Sequence, residues 1–132
     1  MSQDHHLSDL QLAVMRVLWR RREASVAQVH AELEPQRGLA ITTVATLLSR
    51  LERRGLLTHR TDGRVYIYAP VVSEQEVRRS MVADLTDRLF QGDAAALVSH
   101  LLTTRDIAPG DRERVKALLD EPDEDGEDDH AH

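Results

Sequence analysis

Residues 40–55, AITTVATLLSRLERRG, restrict the fold more than any other stretch of the chain. Set at the α-helical period, they place Val44, Leu47, Leu48 and Leu51 at i, i+3, i+4 and i+7, one apolar stripe. The opposite face carries Thr42, Thr46, Ser49, Arg50 and Arg53 and has no acid, with Glu52 to one side. Gly55 supplies a helix stop. Small hydroxyl residues beside arginines suit a surface that enters a groove and touches both base edges and phosphates. An ordinary solvated amphipathic helix has the same period, so the flanking sequence decides between the two.

Residues 1–6 read as disordered. Ser8 and Gln11 have capping-box spacing and open a helix with Leu12, Met15, Leu18 and Trp19 inward. Arg20, Arg21 and Arg22 close it at the negative end of its dipole. Trp19 reads as core, because small cores need a large ring. Ala24 is a short-strand candidate. Ser25 and Gln28 repeat the capping spacing for a second helix, with Val26, Val29 and Leu33 inward, ending near Glu34 before Pro35. The stretch PQRGL, with Pro35 and Gly38, reads as a turn. Two short helices, a turn and a longer helix make a helix-turn-helix arrangement.

After Gly55 the period changes. Residues 57–60 and 65–69 are strand candidates, joined by Thr61-Asp62-Gly63-Arg64, and Asp-Gly between two such runs signals a hairpin. A hairpin directly after a recognition-type helix is a wing. Arg60 and Arg64 flank its tip, where they can reach phosphates. Residues 7–72 are thus expected to form a winged helix-turn-helix DNA-binding domain, mainly α with a small β-hairpin.

Ser73 and Glu76 give a third capping box, for a helix over roughly residues 74–90 in which Val77, Met81, Leu85 and Leu89 recur at i+4. Gly92 breaks it. Asp93 can cap a fifth helix carrying Leu97, Val98, Leu101 and Leu102, and a sixth over residues 109–119 carries Val115, Leu118 and Leu119. Three short helices cannot bury this much apolar surface alone. A two-fold homodimer through residues 73–119 would bury it, with Val77, Met81, Leu85, Leu89, Leu97, Leu101, Val115 and Leu118 in the contact. The competing expectation is that these helices fold back on the winged domain. Residues 120–132 form an acidic tail without an apolar anchor, disordered by composition.

The formal net charge of −6 argues against a nucleic-acid partner only until it is located. From Asp120 onward there are eight acids and no Lys or Arg, whereas residues 1–72 hold ten basic against seven acidic residues. The acidity belongs to the tail, which can compete with DNA for the basic face. The absence of cysteine excludes disulfides and thiolate metal sites. No apolar run approaches a membrane span, and the polar start MSQDHH is no secretory signal, so a cytoplasmic protein is expected. The seven histidines are scattered, with no nucleophile turn and no Gly-rich phosphate loop. Neither catalysis nor a cofactor is expected. The Asp128-Asp129-His130-Ala131-His132 end reads as a solvated tail rather than a metal site.

In this order and spacing the pieces resemble the penicillinase-repressor family of bacterial transcription regulators, of the BlaI/MecI type. LSDLQLAVMRVLW at residues 7–19, with its Met-x-x-Leu-Trp, resembles that family's first helix. ITTVATLLSRLERRGLL at residues 41–57 looks like its recognition helix and the entry to the wing, and RVYIYAPVVS looks like the wing. The resemblance covers about residues 7–119. It implies a dimeric winged-helix repressor that binds inverted repeats in double-stranded DNA at promoters. It places Thr42, Thr43, Ala45 and Thr46 at the base-reading positions. Ala45 stands where some members carry Arg, and its methyl offers only apolar contact, for example to a thymine methyl. Ser49, Arg50, Arg53, Arg60 and Arg64 would hold phosphates. In the family a regulatory protease often relieves repression by cutting an Asn-Phe bond in the fifth helix. The matching position is between His100 and Leu101, where the Asn is absent. The cysteine cluster of the copper-responsive branch is absent too.

Two other classes fit a winged helix. A protein-interaction adaptor would show an exposed apolar patch in place of the Thr, Ser and Arg surface. A ligand-sensing regulator of another family would need a pocket between the domain and the dimer helices.

Overall fold

The structure, a computed structural model, describes residues 6–103, 108 and 110–120. The acidic tail beyond Asp120, the Asp128-to-His132 end and the first five residues lie outside the described residues. The elements run α1 (Asp9–Arg21), β1 (Ala24–Ser25), α2 (Val26–Arg37), α3 (Ile41–Arg53), β2 (Leu57–Asp62), β3 (Val65–Pro70), α4 (Glu74–Phe90), α5 (Ala94–Thr103) and α6 (Asp111–Asp120). The chain divides after Asp84 into two compact units. Among the described residues no helix is long and apolar enough to cross a membrane.

Serine caps set where three of these helices begin. The Ser8 hydroxyl accepts from the Gln11 N–H while the Gln11 side chain accepts from the Ser8 N–H, and Ser25 with Gln28 repeats the exchange at α2. Ser73 and Glu76 do the same at α4. All three capping boxes were legible from spacing.

The first unit has its core between α1, α2, α3 and the inner face of the sheet. α1 buries more than the single expected stripe. Val14 and Val17 join Met15 and Leu18 inside, while Leu12 and Trp19 lie half-buried at the rim. The physical reason is that α1 packs against α2, α3 and β3 together, so its covered arc is wider than one row of side chains. The Trp19 indole N–H donates to the Val72 carbonyl at 2.9 Å, pinning the end of the hairpin to α1. Chain continuing from Val72 therefore starts α4 against this core. Val77, expected in a dimer seam, is instead 1% exposed in the core of the first unit, and Met81 packs on that core.

α2 does not stop before Pro35; it continues to Arg37. The ring removes one amide donor, but Pro35 is exposed in the last turn, where water can reach the carbonyl left over. The helix closes at Gly38, left-handed at φ 63°, whose N–H reaches the Glu34 carbonyl at 2.8 Å. The hairpin forms as expected, but its two-residue turn is Gly63-Arg64 rather than Asp-Gly, with Gly63 at φ 65° in the first central position. β1 adds a third antiparallel strand, in the order β1-β3-β2.

In the second unit Asp93 caps α5 by accepting from the Ala96 N–H at 3.1 Å, and α6 begins at Asp111 rather than Pro109. Among the described residues beyond Asp84 no apolar side chain is buried; Thr86 alone is.

Arg22 ends α1 at φ 78° although it carries a Cβ. An L-residue there costs roughly 1–2 kcal/mol, against roughly 0.5–1 kcal/mol for the added freedom of glycine when unfolded. Arg22→Gly should therefore raise stability by about 0.5–1 kcal/mol, read from urea midpoints at unchanged slope. On the neighbouring turn, the Arg21 hydrogen bond and then Arg20 hold the Glu32 carboxyl below its usual value, with burial opposing them. A depressed carboxylate contributes stability above the ordinary value, and that stability is lost as pH falls through the folded value. Glu32→Gln should be less stable than the parent at neutral pH, and the gap should close in acid; a gap independent of pH would contradict the pairing.

Candidate nucleic-acid interface

Val44, Leu48 and Leu51 of α3 are fully buried, and their burial turns Thr42, Thr43, Thr46, Arg50 and Arg53 outward. Ala45 and Ser49 are half-buried between the two sides. Ala45, Thr46, Ser49, Arg50 and Arg53 line one open depression of about 400 Å³. The Thr46 hydroxyl donates to the Thr42 carbonyl at 3.0 Å, so its oxygen is left to accept. Five of the nine expected contact residues on α3 and the wing, Ala45 among them, thus share one concave surface.

The end of α3 is fixed by two crossed bonds. The Leu56 N–H reaches the Leu51 carbonyl at 3.0 Å, and the Gly55 N–H reaches the Glu52 carbonyl at 2.9 Å. With Gly55 at φ 85° and Leu56 buried, this is a Schellman closure that leads straight into β2. Helix and hairpin are joined without slack.

The arginines divide into two groups. Arg50, Arg53 and Arg64 make no ion pair among the described residues. Arg60 is engaged: its guanidinium donates to both carboxylate oxygens of Glu23, at 2.9 and 3.3 Å. This bond holds the Glu23 carboxyl below its usual value and pushes the Arg60 guanidinium up. Strand alternation explains the pairing. Arg60 lies opposite Ile67, which lies opposite Ser25, so all three share one sheet face, and Glu23 immediately precedes β1. Leu57, His59, Tyr66 and Tyr68 share the other face, and the buried Leu57 and Tyr68 identify it as the one turned to the core and α3. Arg60, expected among the phosphate contacts, stands on the sheet face away from α3.

On the α3 side the structure holds a cluster that the residue types alone did not single out. The His59 Nδ1 lies 2.7 Å from the Glu52 carboxylate and, facing an acceptor, donates to it. The His59 ring stacks on Tyr66, with centroids 4.0 Å apart and planes at 13°. Tyr68 stands at 5.7 Å, its hydroxyl pushed up by burial and then by the Glu52 charge. The available signal was the two-residue spacing that puts His59, Tyr66 and Tyr68 on the face of the apolar Leu57. His30, the other histidine near this surface, donates from Nε2 to the Leu39 carbonyl at 2.9 Å and braces the α2–α3 turn.

Of the residues expected in a dimer contact, Leu85, Leu89, Leu101 and Leu118 are exposed, and Leu97 and Val115 are half-buried. His100 and Leu101 both lie exposed within α5. Among the described residues no group of three or more His, Asp and Glu is placed to hold a metal.

Set beside known proteins, the sequence matches the family described as Penicillinase repressor over residues 7–121. It is 41% identical over 98 residues to the "Transcriptional regulator BlaI" of Mycobacterium tuberculosis, covering 73% of this chain and 71% of that protein. It is 26% identical over 115 residues to the "Penicillinase repressor" of Bacillus licheniformis, covering 87% and 90%. Its fold is similar to a solution structure of the DNA binding domain of the repressor BlaI, with a TM-score of 0.51 at 33% identity over 58% of this chain and 93% of that one. The family match spans the helix-turn-helix, the wing and all three C-terminal helices, and the chain therefore belongs to the penicillinase-repressor family.

Proposed function

We propose that this chain is a DNA-binding transcriptional repressor and not an enzyme, inserting the N-terminal half of α3 into the major groove of an operator. The observation that carries this reading is the outer surface of α3. It is free of acid, concave, lined by Thr46, Ser49, Arg50 and Arg53, and its two arginines have no ion-pair partner among the described residues. The solved relative named as a DNA binding domain of a repressor supports it. Thr42, Thr43, Ala45 and Thr46 would meet base edges, and Ser49, Arg50, Arg53 and Arg64 the backbone. With its hydrogen committed to Thr42, the Thr46 oxygen suits a base donor such as adenine N6 or cytosine N4. An adaptor's apolar patch does not occupy this side of α3: Ile41 is its single exposed large apolar residue among those described.

The domain organisation extends the same reading. Residues 7–72 would bind DNA, and the helices beyond them would hold two copies together on an inverted repeat, with half-site centres about one helical turn or a multiple apart. Support comes from the second unit, where Leu89 is 63% and Leu118 64% exposed and no apolar side chain is buried among the described residues. Helical segments left in that condition are suited to pairing with a second copy. A regulatory protease acting between His100 and Leu101 would have to unwind α5 first; intact-mass measurement on protein from induced and uninduced cells would show whether a cut occurs there.

Footprinting on the protein's own upstream region tests the reading as a whole: a protected two-fold site is expected, and no protection would sink it. Arg53→Ala should weaken binding to operator and scrambled duplexes alike and lower the salt slope by about one unit. Thr46→Ala should instead relax preference at one base position, and an Arg53 effect confined to the operator would reverse the assignment. Leu89→Glu should convert a sedimenting dimer to monomer and loosen operator binding, and a monomeric parent at working concentration would refute the dimer.

A further inference from the structure

We propose that Tyr66 is a DNA-backbone contact on the wing, and that Glu52 and His59 are the positioning residues that aim it. The inference rests on the DNA-binding reading and adds to it a contact that the arginine-based account leaves out.

Tyr66 is an aromatic residue that is 49% exposed on the sheet face that α3 packs against. The uncovered part of the ring, with its hydroxyl, is therefore open to a partner. Its ring is not loose. It lies flat on His59 at 4.0 Å, and His59 is anchored through Nδ1 to Glu52 on α3 at 2.7 Å. The orientation of the ring is therefore referred to the recognition helix itself and not to the hairpin alone. Among the described residues the Tyr66 hydroxyl makes no hydrogen bond, and the tip residue Arg64 adjoins its strand. A phenol O–H held beside a groove-entering helix is a donor suited to a phosphate oxygen, a contact that fixes position without reading sequence.

The same arrangement accounts for the acid on α3. Glu52 is the only carboxylate in the helix, and an uncommitted carboxylate there would repel the backbone. The His59 N–H takes it up and converts it into a strut between helix and wing.

The occupant is the sugar–phosphate backbone of duplex DNA, favoured by continuity with the α3 surface and by Arg64 alongside. The test is a titration of the full chain against the footprinted duplex and a scrambled duplex of equal length, at several salt concentrations. Folding of each variant is checked by Trp19 emission in urea. Tyr66→Phe should lose about tenfold or more in affinity on both duplexes, the range for one hydrogen bond to a charged acceptor. The salt slope should stay unchanged, because a neutral hydroxyl releases no counterion. Glu52→Ala supplies the second arm. If Glu52 only added negative charge near DNA, its removal would tighten binding; as a strut, its removal should weaken binding, with Glu52→Gln restoring much of the loss through its amide oxygen. Wild-type affinity in Tyr66→Phe, or tighter binding by Glu52→Ala, overturns the inference while leaving the DNA-binding reading intact. A parent chain that retards neither duplex fails the reading itself.

Discussion

Three side chains with no solvent exposure, Val44, Leu48 and Leu51, decide what this protein shows to its surroundings. A helix has one azimuth. Once those residues are buried against α1, α2 and β2, the positions between them can only face out. The outward residues are hydroxyls and arginines, so the direction of the apolar seam and the chemistry of the exposed surface are one choice. Rotating α3 by a single residue would expose a leucine and bury an arginine, and both changes oppose folding. The Schellman closure at Gly55 extends this control to the wing, because β2 begins one residue after the buried Leu56.

Much of this was legible in the sequence, for physical reasons that differ by element. The serine caps were readable because their partners sit three residues away and need no tertiary context. The α3 stripe was readable because one face packs and the other does not. α1 was harder: with partners on several sides, Val14 and Val17 are buried outside any single stripe. Pro35 does not stop α2, since a proline in an exposed last turn sacrifices only a donor that water can replace. The repeat of Val77 with Met81 marks an apolar face, but periodicity gives a face and not the neighbour that covers it.

The candidate site shows the same division. That α3 carries the contact surface follows from local pattern, and the depression lined by Thr46, Ser49, Arg50 and Arg53 agrees with it. The fate of Arg60 does not follow locally. Its partner Glu23 is 37 residues away and meets it only because β1 joins the sheet beside β3. The sequence offers Ala24 as a strand but not its pairing with β3, and without that pairing the hairpin has no place for the acid. The Glu52–His59 bond was hidden for a related reason: it spans a helix end and a strand, where neither helical nor strand spacing applies.

Trp19 is the only tryptophan in the chain, and it is tied to Val72 by a bond that exists only when α1 and the end of the hairpin are together. The molecule therefore carries a built-in optical gauge. Indole emission reports on the packing of the first unit, whereas far-ultraviolet dichroism sums over the helices of both. Two spectroscopic channels can thus separate melting of the winged portion from loss of the C-terminal helices, with no label added to the chain.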